Sequence, residues 1–350
     1  GVGEYLSLEI VRAAMLIRAN TLAKGYSGVR PVIIERLLQM LSRQIIPAIP
    51  AIGSLGASGD LAPLAHLALV LSKPPETMLD QSPAPGYADM SGEVLKIDGM
   101  GDIVGLVSGQ EAMQWDGADQ RLVLEAKEGL ALSNGASFSA AIAVLCAHDA
   151  DNLICHAELA AALALEVFFG HRDAFLPFVH RVRGHLGQIA AAQNILQLVT
   201  ESKLVDPGDA DHDPVNQPPQ DPYSLRCSPQ VIGAVREAVA YIQSMLEREI
   251  NAATDNPLLF VMDSDGLSRP YRAVSGGNFH GEPIALAMDH LRVAMTELAN
   301  LSERRVFWLT NPSMARGLPS MLVTGNESHI DSGWMIAQYV AAALVSDCRT

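Results

Sequence analysis

Residues 53–69 read GSLGASGDLAPLAHLAL, with Gly53, Gly56 and Gly59 interleaved with Ser54 and Ser58 ahead of a Leu/Ala-rich run. A phosphate-cradling loop would need a lysine after its last glycine, but Asp60 stands there and would repel phosphate. A nucleophilic serine on a strand-to-helix elbow needs Gly-x-Ser-x-Gly, whereas here Gly59 follows Ser58 directly and no β-rich run precedes it. The plain reading is a glycine-rich turn that opens a helix, with Asp60 as N-cap and Pro63 in the first turn.

Four further polar clusters carry residues able to do chemistry: KEGLALSNGASFS (127–139), QDPYSLRCSPQ (220–230), EINAATDNPL (249–258) and SGGNFHGEP (275–283). Singly, each reads as a local signal. Asn134-Gly135 makes a turn, Asp221-Pro222 starts a helix, Asn256-Pro257 stops one, and Gly276-Gly277 is a loop. Together they place Gln220, Tyr223, Arg226 and Phe279 immediately before long helical stretches, whose N-terminal dipoles favour anions. A shared anion-binding pocket is expected.

The elements that must position these clusters are helices. Apolar residues recur at helical spacing from Ser7 to Ala23, and Arg30–Arg43 repeats the pattern before the IIPAIPAIGS linker. From Ala136 to Phe169 there are 34 residues without Gly or Pro, a rod of about 50 Å at helical rise. Pro229–Ala252 and Glu282–Leu309 are two more long helices. Residues 73–118 differ in texture, with KPPE, SPAPGY and β-like pieces at EVLKI and DIVGLV, and read as an excursion containing a small hairpin. The expected fold is all-α, a bundle of long antiparallel helices. It divides into a turn-bearing part (1–72), the excursion (73–118) and a central long-helix bundle (119–350).

The 350 residues are 49% hydrophobic, ample for a sizeable core. A net charge of −15, with the 24 Lys and Arg scattered, argues against nucleic-acid binding. The four cysteines Cys146, Cys155, Cys227 and Cys348 show no Cys-x-x-Cys spacing and suit a reducing compartment. GVGEYLSLEI lacks a signal-peptide pattern and no apolar run reaches the roughly 18 residues of a membrane span, so a soluble cytoplasmic protein without a membrane partner is expected. None of the ten histidines forms a metal-ligand spacing, and His66, His148 and His156 read as solvated or hydrogen-bonded helix residues, so no metal is expected. Arg304-Arg305 after Glu303 reads as a structural ion pair between long helices. The chain opens without Met and stops at VSDCRT straight after a helical run, as a piece of a longer chain would.

GSLGASGDLAPLAHLAL, LEAKEGLALSNG, QDPYSLRCSPQVIG, EINAATDNPL, GGNFHGEP and SGWMIAQYVAAALVS, in that order, resemble the aromatic amino acid ammonia-lyases over essentially the whole chain. The resemblance implies an ammonia-lyase/fumarase-like helical fold and a homotetramer whose sites each draw on three subunits. It also implies that Ala57-Ser58-Gly59 cyclises autocatalytically into a 4-methylidene-imidazole-5-one. In that chemistry the Gly59 nitrogen attacks the Ala57 carbonyl, helped by the absence of a Cβ on the attacking residue, and Ser58 becomes the exocyclic methylidene. The helix after Asp60 would direct its positive end at this group. Carried over by position, Asn134 hydrogen-bonds the ring and the amine, and Arg226 forks onto the substrate carboxylate. Tyr223 and Gln220 line the pocket, Phe279 packs beside the electrophile, and His280 and Glu282 belong to the substrate side.

FHGEP and SGWMIAQYVAAALVS are most similar to histidine ammonia-lyases, which implies elimination of ammonia from L-histidine to give urocanate. NGASFSA and FLPFVHR lean toward the phenylalanine enzymes, leaving a phenylalanine or tyrosine lyase or aminomutase as the alternative. A non-catalytic helical scaffold is the alternative of another class. By the same resemblance the substrate-selecting pair and the tyrosine that takes the β-proton lie upstream of Gly1, and an acidic pocket residue lies downstream of Thr350.

Overall fold

The computed structural model describes residues 1–75, 91–205, 219–262, 271–324 and 330–350. It is mainly helical, and every sheet among the described residues has two strands. The chain forms two units, Gly1–Leu145 with Ser244–Leu286, and Cys146–Gln243 with Ala287–Thr350.

In the first unit the Leu8–Ala23 helix buries Val11, Ala14, Met15, Arg18 and Leu22, a stripe at three- and four-residue spacing that covers one face. The Pro31–Ser42 helix starts on proline and buries Ile33, Leu37 and Met40, the ring presetting φ where no backbone donor is needed. Both pack with Leu64 and Leu67 of the Leu61–Leu71 helix, and with Leu132 and Phe138, in one core. The expected hairpin is present, with Glu93–Ile97 antiparallel to Ile103–Ser108 and Val94 opposite Val107. KPPE reaches only its first residues within the described chain, and SPAPGY lies outside the described residues. Loops read as irregular also hold an antiparallel ribbon of Leu258–Val261 with Tyr271–Val274.

The second unit holds the greater part of each of three long helices. The Ser137–Val167 helix lies within the predicted 34-residue rod, and the predicted Pro229–Ala252 and Glu282–Leu309 stretches fold as Ser228–Ile250 and Glu282–Thr310. Along the last of these, Ala287, Leu291, Ala294, Leu298, Leu301 and Arg305 are buried, the alternating 4-3 spacing of a helix packed along its length. Glu158 joins two other helices, accepting from Arg236 Nε at 2.6 Å and Asn194 Nδ2 at 2.9 Å.

Two sequence expectations need correction. Within Glu128–Val167 an 18-residue window reaches a mean hydropathy of 1.7, long and apolar enough to cross a membrane, but 61% of it is buried inside the protein. Its apolarity therefore serves packing. Arg304 and Arg305 do not form an ion pair between helices: Arg304 Nη2 bonds Glu303 beside it at 2.6 Å. Arg305 is buried and donates to Ser224 O and Ser228 Oγ, both at 2.8 Å. Burial pulls its guanidinium down to about 10, still cationic at neutral pH.

Candidate active site

The 53–60 turn is held by its own backbone. Ser58 N donates to Leu55 O at 2.9 Å and Gly59 N to Gly56 O at 3.3 Å. Ala57 and Ser58 are exposed while Gly59 and Asp60 are buried. Gly59 has φ +82°, and a Cβ there would lie 2.9 Å from Gly135 O and 3.1 Å from Gly135 N. Only glycine fits, both for its left-handed backbone and for lack of space.

Against this turn lies the Asn134-Gly135 peptide, at the end of the Glu128–Ser133 helix. Asn134, 6% exposed, donates Nδ2 to Ser58 O at 3.0 Å, and Asp60 N donates to Gly135 O at 2.7 Å. Asp60 occupies the N-cap position of Leu61–Leu71 but makes no side-chain cap bond to that helix. Its carboxyl group instead accepts from Ser139 N at 2.8 Å, Ser139 Oγ at 2.7 Å and Ser54 Oγ at 2.6 Å. Asp60 thus caps the Ser137–Val167 helix, taking up that helix's positive end, and the expected cap is corrected accordingly.

The helix that presents Asn134 is anchored by Glu128, whose carboxylate accepts from Arg30 Nε at 2.8 Å and Nη2 at 2.7 Å and from Glu125 N at 2.8 Å. These bonds, the Arg30 side chain's first, pull the Glu128 carboxyl from 4.5 down to about 2. A carboxyl depressed in the folded state stabilises above its unfolded pKa and loses that contribution as pH falls toward the folded value. Glu128→Gln is therefore expected to lower the thermal midpoint near neutral pH and to flatten the loss of stability between about pH 4.5 and 2, measured by circular dichroism melts. The shift caps the effect at about 3 kcal/mol, reduced by screening because the Arg30 side chain is 37% exposed.

Gly281 N donates to Gly56 O at 2.9 Å, bringing the 279–282 segment to the turn. Phe279 is half-buried, and His280 Nδ1 accepts from Glu282 N at 3.1 Å, the first N–H of the helix that follows. Glu282 is exposed.

Gln220, Tyr223 and Arg226 belong to the second unit, where with Arg304 and Trp308 they line a cleft of about 840 Å³. Tyr223–Arg226 is a short helix of its own ahead of Ser228–Ile250. The Arg226 guanidinium lies 4.5 Å over the Tyr223 ring, and its Nε donates to Asp221 O at 2.9 Å. The backbone beneath is pinned by the buried Asp221, whose Oδ1 accepts from Arg316 Nη2 at 2.9 Å and Oδ2 from His171 N at 2.7 Å, and by the Arg305 bond to Ser224 O. Among the described residues neither Nη atom of Arg226 has a hydrogen-bond partner, so both can meet a planar anion.

The aromatic amino acid lyase family model matches residues 1–350. The chain belongs to the aromatic amino acid lyase family. It is 45% identical to the histidine ammonia-lyase of Gloeobacter violaceus over 99% of this chain and 60% of that one. It superposes on the tyrosine aminomutase of Streptomyces globisporus with a TM-score of 0.81 at 37% identity, over 100% of this chain and 62% of the other. Against the histidine ammonia-lyase of Trypanosoma cruzi the TM-score is 0.79 at 34% identity, over 99% and 58%. The chain spans about three fifths of the length of the curated relatives it matches.

In this member of the family the predicted site residues fall into two sets. Ala57, Ser58, Gly59, Asn134, Phe279, His280 and Glu282 are in the first unit, and Gln220, Tyr223 and Arg226 in the second. Sequence reasoning missed the supporting roles of Arg18, Asp221, Arg305 and Arg316 beneath the two sets. Arg18 and Arg305 carry a legible signal, since each is a cation at a position that the apolar period assigns to the buried face. Asp221 and Arg316 carry none, because their meeting spans 95 residues. Among the described residues no group of three or more His, Cys, Asp or Glu is arranged to hold a metal.

Proposed function

We propose that this chain carries the electrophile-bearing part of an ammonia-lyase that converts L-histidine to urocanate. The observation that carries the reading is the Asn134 bond to Ser58 O beside a Gly59 that tolerates no Cβ. These residues fit a 4-methylidene-imidazole-5-one built from Ala57, Ser58 and Gly59: the closing nitrogen belongs to glycine, and the carbonyl that the ring would retain already has a donor. When formed, that group would supply an electrophilic exocyclic carbon for the substrate's amine.

The chain's own residues do the rest. Asn134 offers a fixed donor to the Ser58 oxygen, so negative charge gathering there meets a preorganised N–H. Arg226, backed by the Tyr223 ring and tied to Asp221 O, forks its Nη atoms onto the substrate carboxylate. Gln220 and Tyr223 line that cleft, while Phe279, His280 and Glu282 belong with the 53–60 turn in the first unit. Histidine as substrate draws support from relatives named histidine ammonia-lyase at 42% to 46% identity. We further propose a cytoplasmic homotetramer whose sites each draw on three subunits, on the family resemblance.

The tyrosine aminomutase neighbour and NGASFSA favour a second reading, a phenylalanine or tyrosine lyase or aminomutase. The protein at the full length of its relatives, offered histidine, phenylalanine and tyrosine separately, is expected to release ammonia fastest from histidine, with urocanate followed by ultraviolet absorbance. Faster turnover of phenylalanine or tyrosine selects the second reading. A folded protein with no turnover and no loss of mass at Ala57-Ser58-Gly59 is a scaffold.

A further inference from the structure

Arg18 is fully buried in the first unit, on the Leu8–Ala23 helix, and the roles assigned above do not use it. Its guanidinium is held mainly by carbonyls: Nη1 donates to Thr254 O at 3.1 Å, and Nη2 to Asn134 O at 2.8 Å and to Ala131 O. The nearest carboxylate, Asp255, is 3.9 Å away and pairs more closely with Lys127 Nζ, at 2.6 Å. Burial draws the guanidinium down to about 10, so it keeps its charge at neutral pH.

The carbonyls of Ala131 and Asn134 belong to the end of the Glu128–Ser133 helix, where intrahelical donors run out. Arg18 therefore holds the Asn134-Gly135 peptide through its carbonyl oxygen, Asn134 O. Gly135 permits the approach, since a Cβ there would sit 2.3 Å from Arg18 Nη1 and 2.4 Å from Thr254 O. Asn134 and Gly135 themselves make the two bonds that bracket Gly59, Asn134 Nδ2 of the side chain to Ser58 O at 3.0 Å and Asp60 N to Gly135 O at 2.7 Å.

We propose that Arg18 is a positioning residue for cyclisation of Ala57-Ser58-Gly59, holding the peptide against which the turn is braced. The inference rests on the function proposed above. In the cyclisation the Gly59 nitrogen bonds to the Ala57 carbonyl carbon. That carbonyl's oxygen leaves as water with the amide hydrogens of Gly59 and Ser58, and a C=N bond remains. The Ser58 hydroxyl leaves with its Cα hydrogen as a second water, and a Cα=Cβ bond remains. Nothing is oxidised or reduced, and the chain becomes lighter by about 36 Da. Bond formation between two backbone atoms depends steeply on their alignment, and a misplacement of about 1 Å can cost about a hundredfold in rate.

The test is mass spectrometry of the 53–60 peptide from full-length wild type, Arg18→Lys, Arg18→Gln and Lys127→Met, with helix content and particle size measured on the same samples. Lysine keeps the charge but cannot fork onto three carbonyls, and glutamine keeps one planar donor group without charge. Both Arg18 variants are expected to fold with the cyclised fraction at least about tenfold lower than wild type at equal time after synthesis. Lys127→Met, which alters the same charge cluster but none of the Arg18 bonds, is expected to be fully cyclised. Uncyclised wild type would overturn the proposed function itself. Cyclised wild type with equally cyclised Arg18 variants overturns only the role of Arg18. Misfolding of both Arg18 variants assigns Arg18 to folding and overturns the positioning role, as does an equal loss in Lys127→Met.

Discussion

Ser58→Ala is expected to leave the protein at its sequence mass and to lower ammonia release by at least about 10³-fold, the scale of loss when a covalent catalytic group is removed. Without the serine hydroxyl the second water cannot leave, so no methylidene forms. The fold should persist, because among the described residues no bond holding the turn uses the Ser58 hydroxyl. Ser58 N to Leu55 O and Asn134 Nδ2 to Ser58 O both survive the substitution. Ser58 is exposed, and a change there with no core contact shifts stability by about 0.5 kcal/mol or less. Intact mass, circular dichroism and turnover on one preparation check all three statements. Wild-type turnover in Ser58→Ala would remove the electrophile from the explanation.

Arg226→Lys is expected to lower kcat/KM by about tenfold to a thousandfold, a loss of roughly 1.4–4 kcal/mol of transition-state binding. The geometry explains why a conserved charge is not enough. Arg226 uses Nε to hold Asp221 O and lays its plane 4.5 Å over the Tyr223 ring, which orients both Nη atoms. A lysine has one nitrogen for all of these tasks. Steady-state kinetics in the full-length protein decide it, and near-wild-type values would remove Arg226 from the carboxylate site.

The helices were legible because burial follows a local period. Val11, Met15, Arg18 and Leu22 recur on one face of the first helix, and the Gly- and Pro-free run after Ala136 became the Ser137–Val167 helix. The hairpin at Glu93–Ile97 was legible from β-like pieces flanking a turn, whereas the Leu258–Val261 ribbon was hidden by the polar loop around it. Asp60 shows the limit of local rules. The N-cap signal located the helix start correctly, yet the carboxyl group bonds Ser139, 79 residues away, in preference to its own helix.

The sequence by itself determined the helical body, the small residues that let the 53–60 turn form, and the polar residue types gathered near helix ends. Those properties depend on side-chain volume, backbone freedom and spacing along a few turns. Only the tertiary structure decided which buried charge faces which carbonyl: Asn134 meets Ser58 across 76 residues and Arg18 meets Thr254 across 236. A buried cation must find acceptors wherever the packed chain supplies them, because leaving it unpaired costs more than any local preference returns. Such pairings depend on how the helices close on one another, and no spacing in the sequence encodes them.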